Sequence, residues 1–234
     1  MIFASMQPYF FPYIGYFSLF HASSAFQFFD TPQFTKKTWM SRNRIQSSRH
    51  GGVNYIIVPL VKHPFCIPLN CVHISGTDWK IRVIKQLEFY KKKAPYFKQV
   101  VELVKDCLEP NYTLLSRLNI ETIIKTCHYI GLYPNYSVFS ETGVSIEYDA
   151  PDETLLKKAV AFGYSHVINA PGAISFYDKK KYDNAGIKLQ FVKNRLTPYE
   201  QGNENFIPGL SIIDVLMFNS PKDTLAMVAD YDLL

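Results

Sequence analysis

The sequence predicts an α/β fold, an open and mostly parallel Rossmann-like sheet that carries an inserted helical layer. Three observations predict it. The chain opens with an apolar run, a stretch of helical apolar spacing and a second apolar run, which together make a strand–helix–strand unit. The same alternation returns after residue 136. Between them, residues 79–131 read as helices alone.

Ile2–Met6 is short and apolar and stops at Gln7-Pro8, so it reads as a buried strand. Ile14–Ala22 follows with helical spacing, and Ala25–Asp30 (AFQFFD) reads as the second strand. A third strand is expected at Val53–Leu60 (VNYIIVPL), placed centrally because it is apolar throughout. Cys66–Ser75 reads as one more strand, entered through a turn at His63-Pro64. Helices are expected at Trp79–Lys93 and Ala94–Leu108, parted near Pro95 because proline can open a helix in its first turn. Leu114–Ile130 is the longest helix, and Gly131 suits its C-terminal cap. The second half reads as strand Tyr136–Phe139, helix Glu153–Phe162, strand His166–Asn169, a helix near Ser175–Asn184 and strand Ile187–Val192. Helices at Ser211–Phe218 and about Pro221–Val228 finish the chain. Its 234 residues suit one α/β domain, 1–234, with 79–131 as a helical insertion.

No segment offers the 18 or more apolar residues of a membrane span, and the N-terminus lacks the marks of a secretory leader. The chain is therefore expected to be cytoplasmic, with Cys66, Cys71, Cys107 and Cys127 as free thiols. The net charge of +5 favours anionic partners. Lys36, Lys37, Arg42, Arg44 and Arg49 crowd one stretch without an acid among them, and this stretch could supply the whole excess. No nucleophile elbow, Walker loop, Gly-x-Gly-x-x-Gly fingerprint or His-Glu-x-x-His appears, which leaves serine hydrolases, P-loop ATPases, dinucleotide dehydrogenases and zincins without motif support.

Two loops hold the candidate chemistry. In open α/β sheets ligands bind beyond the carboxyl ends of the strands. There the first loop places Gln7, Tyr9, Tyr13, Gly15 and Tyr16. Tyr13-Ile14-Gly15-Tyr16 has the spacing of the His-x-Gly-His loop of nucleotidylyltransferases, where glycine admits a nucleotide to the backbone. Phenols replace the imidazoles here, so the likeness extends to nucleotide binding and not to the charge stabilisation of adenylate transfer. The second loop follows Asp30 and carries Gln33, Lys37, Trp39, Asn43 and Arg44, a set that offers cations for phosphate and a ring for stacking. Adjacent strands would bring the two loops into one cleft. Near the end, Ser211 caps a helix and Asp214 occupies its first turn. His63, Cys66, Cys71 and His73 lie close together, but their spacing matches no common zinc pattern and no metal is expected.

Together, MQPYFFPYIGYFSLF, FDTPQFTKKTWMSRNRI, KKKAPYF and YEQGNENFIPGLSIIDVLMFN resemble the WbqC-like family of bacterial proteins over nearly the whole chain. The family's setting among surface-polysaccharide (O-antigen) genes implies a transferase that attaches a small acyl or aminoacyl group to the amine of a nucleotide-linked amino sugar. An activated donor is then implied, with an aminoacyl-tRNA as one form of it. The chain departs from the family at Asn169–Gly172, ahead of Tyr177, where a Ser-Gly-rich loop before a tyrosine is usual, and at Arg82, near where a histidine is usual. On this reading Asp30 is the general base or its orienting partner, and Asp214 is the second candidate. Tyr13, Tyr16, Trp39 and the backbone at Gly15 hold the ligand, while Lys37 and Arg44 neutralise its diphosphate. Two rival readings are a nucleotide-sugar binding or regulatory protein without turnover, and a nucleic-acid binding protein.

Overall fold

The computed structural model describes residues 1–48, 52–147 and 150–234. Six strands form one sheet: β1 (Ile2–Met6), β2 (Ala25–Phe28), β5 (Tyr136–Val138), β6 (His166–Asn169), β7 (Lys188–Asn194) and β8 (Tyr231–Leu233). Their spatial order is β5-β2-β1-β6-β7-β8. All neighbours run parallel except β7 and β8. This is the α/β sheet that the strand–helix alternation predicts.

The chain leaves β1 toward β2 and β5 on one side and later returns to place β6 on the other. The order of connection therefore reverses between β1 and β6, and a crevice forms at such a point beyond the carboxyl ends of the strands.

Side chains of alternate residues project to opposite faces. Ala4, Phe26, Phe28, Ile168 and Val192 belong to the larger core, which also takes α1 (Ile14–Ala22), α4 (Leu115–Tyr129) and α7 (Ile212–Phe218). Phe3, Ala25, Val167, Leu189 and Phe191 belong to a smaller core under α5 (Glu153–Phe162) and α6 (Lys179–Asn184). α1 is apolar all round and buried from Ile14 to Phe20, which is why so many rings crowd this segment.

Two expected strands are corrected. Val53–Leu60 is not central: β4 (Val53–Ile57) pairs antiparallel with β3 (Arg42–Gln46), in a separate two-stranded sheet. Of its apolar residues Ile56 is buried and Ile57 is half exposed, so the run covers one face only. Cys66–Ser75 forms no strand but a short 3₁₀ turn, Leu69–Cys71, flanked by isolated bridges. Pro64 and Pro68 lack the N–H groups that a ladder would need. The strands β3 and β8 have no counterpart in the sequence reading. Arg49, counted in the basic stretch, lies outside the described residues.

α2 (Asp78–Leu87), α3 (Phe97–Leu108) and α4 follow the hairpin, and α8 (Pro221–Val228) precedes β8. Among the described residues, no helix is long and apolar enough to cross a membrane.

Candidate functional site

A cleft of ≈ 720 Å³ opens at the reversal point between β1 and β6. Its floor comes from the end of β1, with Ser5, Met6 and Gln7, and from the end of β6, with Asn169 and Ala170. One wall is the aromatic loop and the start of α1, with Tyr9, Tyr13 and Tyr16. Phe29 and Trp39 come from the segment after β2, Lys158 from α5, and Phe176 and Tyr177 from the loop after β6. The volume is within the range of small-molecule sites, and the lining is mostly apolar with a few converging polar groups.

The aromatic wall is held by backbone acceptors. Tyr16 donates its hydroxyl to Gln7 O at 2.8 Å, and its ring lies 5.6 Å from that of Tyr9. Burial raises the phenols of Tyr9, Tyr13 and Tyr16 above their usual value, so all three are neutral hydrogen-bond donors near neutral pH. The loop turns at Phe11, whose φ of 39° is unusual for a side chain of that size. Its carbonyl accepts from Asn43 Nδ2 at 2.8 Å and from Ser211 Oγ at 2.8 Å, two bonds that hold the turn. Asn119 Nδ2 on α4 ties the same loop to the second one, through Pro8 O and Met40 O.

Gly15 does not face the cleft. A Cβ added there would lie 2.5 Å from Cε2 of Tyr13, whose ring folds back over it. The glycine makes room for a phenol. The atoms in the way are the far end of the Tyr13 side chain, so Gly15→Ala is expected to push that ring aside and lower stability by no more than about 1 kcal/mol, alanine being the better helix former. A thermal melt decides it: a larger loss would mean that the Tyr13 ring is fixed against Gly15.

The second loop divides. Trp39, 42% exposed, lines the cleft, and the Arg44 guanidinium carbon stands 5.6 Å from its ring centroid. Arg44 Nη2 donates to Gly209 O at 3.1 Å, so Arg44 supports Trp39 from outside the cleft. Asn43 is a buried clamp on Phe10 O and Phe11 O. Gln33 donates to Phe65 O, and Lys37 is exposed at a φ of 60°; neither lines the cleft.

Asp30 is buried behind the cleft. Its two oxygens accept from Ser140 N at 3.1 Å and Ser140 Oγ at 2.6 Å. Asp214 is elsewhere, fully buried between α7 and the β3–β4 hairpin, with four side-chain donors around it. It does not line the cleft. His63, Cys66, Cys71 and His73 form no metal cluster, since no group of three or more potential ligands is gathered among the described residues.

Lys158 is the group that sequence reading missed. Its side chain is fully buried on the cleft-facing side of α5. Its Nζ lies 2.9 Å from Ser5 Oγ, 3.3 Å from the centroid of Phe29 and 4.2 Å from that of Phe139. Among the described residues no carboxylate is within ion-pair distance, although Asp30 acts on it electrostatically from behind. Burial pulls the ammonium down to about 6, and the charge of Asp30 opposes this only in part. The amine is therefore largely neutral at physiological pH. The helical spacing of Leu155, Lys158 and Ala159 is the signal that places this lysine on a buried face.

Asn169 and Tyr177 complete this side. Asn169 Nδ2 donates to Tyr177 Oη at 2.6 Å, which leaves the phenol proton free to point elsewhere. Burial pushes the Tyr177 phenol up to about 12.

The WbqC-like protein family model matches residues 7–226, and the chain belongs to that family. It is 31% identical over 225 residues to an uncharacterized protein of Mycobacterium tuberculosis, Rv1507c, with 92% of each chain covered. No solved structure matches the chain significantly.

Proposed function

We propose that this WbqC-like protein is a transferase of bacterial surface-polysaccharide synthesis. It would attach a small acyl or aminoacyl group, from an activated donor, to the amine of a nucleotide-linked amino sugar. The observation that carries the reading is the cleft at the reversal point of the sheet, where doubly wound folds bind nucleotides. Tyr9, Tyr13, Tyr16 and Trp39 give it ring faces and neutral donors suited to a sugar or a base. A buried amine that is mostly neutral at physiological pH supplies a proton acceptor, which amide formation requires. Asp30, enclosed by Ser140, serves as the orienting charge behind that amine.

Among the described residues lining the cleft, Lys158 is the one basic side chain, and its amine is mostly neutral. The diphosphate of the acceptor would therefore lie at the mouth, near Trp39, with Arg44 stacked behind it and Lys37 two residues away. Trp39→Ala is expected to weaken nucleotide-sugar binding by about 1–3 kcal/mol, the usual worth of a stacked ring.

The test is a thermal-shift screen against nucleotides and nucleotide-linked amino sugars. A ligand at a hundredfold its Kd should stabilise the protein by about 2.7 kcal/mol. A shift specific to an amino-sugar nucleotide and diminished in Trp39→Ala supports the acceptor. A shift without product from any acyl donor would favour a binding protein. No shift from any of them removes the nucleotide sugar.

A further inference from the structure

We propose that Ser5 and Lys158 form a nucleophile–base pair, and that the acyl group is carried through an ester on Ser5 before it reaches the acceptor amine. This rests on the transferase reading of the cleft and names its covalent step. Three observations carry it. Ser5 is at the end of β1 on the cleft floor, the position where open sheets present reacting groups. Its Oγ is 2.9 Å from Lys158 Nζ, and among the described residues that oxygen is the only hydrogen-bond partner of the amine. The amine is sealed between Phe29 and Phe139, away from bulk water, and no ion-pairing carboxylate reaches it among the described residues.

A serine hydroxyl is a weak nucleophile until a base takes its proton, and a neutral lysine can be that base. Among the described residues the titratable groups near this pair include Asp30, which acts on the amine electrostatically, Tyr177, held by Asn169 and acted on by Asp152, and the phenols of Tyr9, Tyr13 and Tyr16 across the cleft. With the amine neutral, the Ser5 hydroxyl donates to Nζ.

In the first half-reaction Ser5 Oγ attacks the carbonyl carbon of an activated ester or thioester, and its proton passes to Nζ. The tetrahedral adduct collapses, the bond to the leaving oxygen or sulfur breaks, and Nζ returns the proton to that atom. In the second half the sugar amine attacks the Ser5 ester and gives its proton to Nζ. The carbon–Oγ bond breaks and the proton returns to Oγ. The sum is ester or thioester plus amine giving amide plus alcohol or thiol, with no oxidant or reductant.

One feature suits the intermediates. The phenol proton of Tyr177 is free to serve the oxyanion.

The probe is p-nitrophenyl acetate on the purified full chain, followed by the nitrophenolate burst and by peptide mass mapping. We expect an acetyl ester on Ser5, absent in Ser5→Ala and formed roughly a hundredfold more slowly in Lys158→Met. The burst rate should rise with pH and level off above about 6. Acetylation only at the N-terminus or surface lysines, or equal Ser5 labelling in Lys158→Met, overturns the pair. A second arm separates this from the wider reading. If wild type and Ser5→Ala transfer an acyl group to a nucleotide-linked amino sugar equally well, transfer is direct and the ester inference fails while the function stands. If Ser5 acylates but no nucleotide sugar shifts the melt, the pair stands and the proposed acceptor falls.

Discussion

Lys158→Met is expected to make the protein more stable and to slow the proposed acyl transfer roughly a hundredfold. A lysine with its Nζ sealed between two rings and, among the described residues, no carboxylate partner is a cost to the fold at neutral pH. Methionine fills a similar volume and loses only the bond to Ser5. Exchanging buried ionisable groups for packed apolar side chains of similar volume commonly stabilises by about 1–4 kcal/mol. For a chain of this size that corresponds to a melting midpoint higher by about 2–16 °C. A site residue that weakens the fold while it stays in place is the expected signature of a functional group.

The pH dependence makes the test sharper. The folded-state value for Lys158, about 6, is below its unfolded value. Between the two the unfolded chain binds the extra proton, so the stability of the wild type should rise with pH across that window, by up to about 1.4 kcal/mol per pH unit from this group. Lys158→Met lacks this slope. Its advantage should be largest at and below pH 6 and should shrink as pH rises toward the ordinary lysine range. Chemical denaturation of both proteins at several pH values measures it. A constant difference, or a destabilised variant at pH 7, would mean that the amine stays charged and well paired.

Much of the fold is legible where one element follows another with a clear period. The strands at residues 2–6, 25–28 and 166–169 and the helices at 14–22, 153–162 and 221–228 lie where apolar spacing puts them. The hairpin is not legible, because VNYII reads as a buried central strand when only Ile56 is fully covered. The cleft is half legible. The aromatic loop and Trp39 reach it, since a strand end and the next loop must converge there. Lys37 and Arg44 do not line it, because their charge pattern reports basic character and not direction. Lys158 is written in the helical period of α5, but its neighbour Lys157 disguises the pair as a solvated face. Ser5 is hidden for a different reason: its partner is 153 residues away.

Asp214→Ala is expected to be the most damaging single substitution away from the cleft. The carboxylate is fully buried and makes four side-chain bonds: Oδ2 accepts from Tyr90 Oη at 2.6 Å and Gln46 Nε2 at 2.8 Å, and Oδ1 accepts from Tyr199 Oη at 2.5 Å and Gln201 Nε2 at 3.0 Å. One residue of α7 thereby joins the β3–β4 hairpin, the end of the α2 segment and the 199–201 loop. Removing it strands four donors at once, and a loss of about 3–5 kcal/mol is expected. Asp214→Asn keeps the shape but turns an amide toward those donors, so a smaller loss is expected. Burial raises the Asp214 carboxyl above its usual range, and the four donors reverse this only in part. A raised folded value means that the native state holds the extra proton, so this contribution is fully present below the unfolded value and fades as pH rises through the folded one. The gap between wild type and Asp214→Asn should therefore widen as pH falls from neutrality toward about 4. Denaturant titrations at pH 5 and pH 7 read that sign directly. A gap that narrows toward acid would identify Asp214 as an anion held by its donors, and a gap near zero at both would remove its role as the joint of this region.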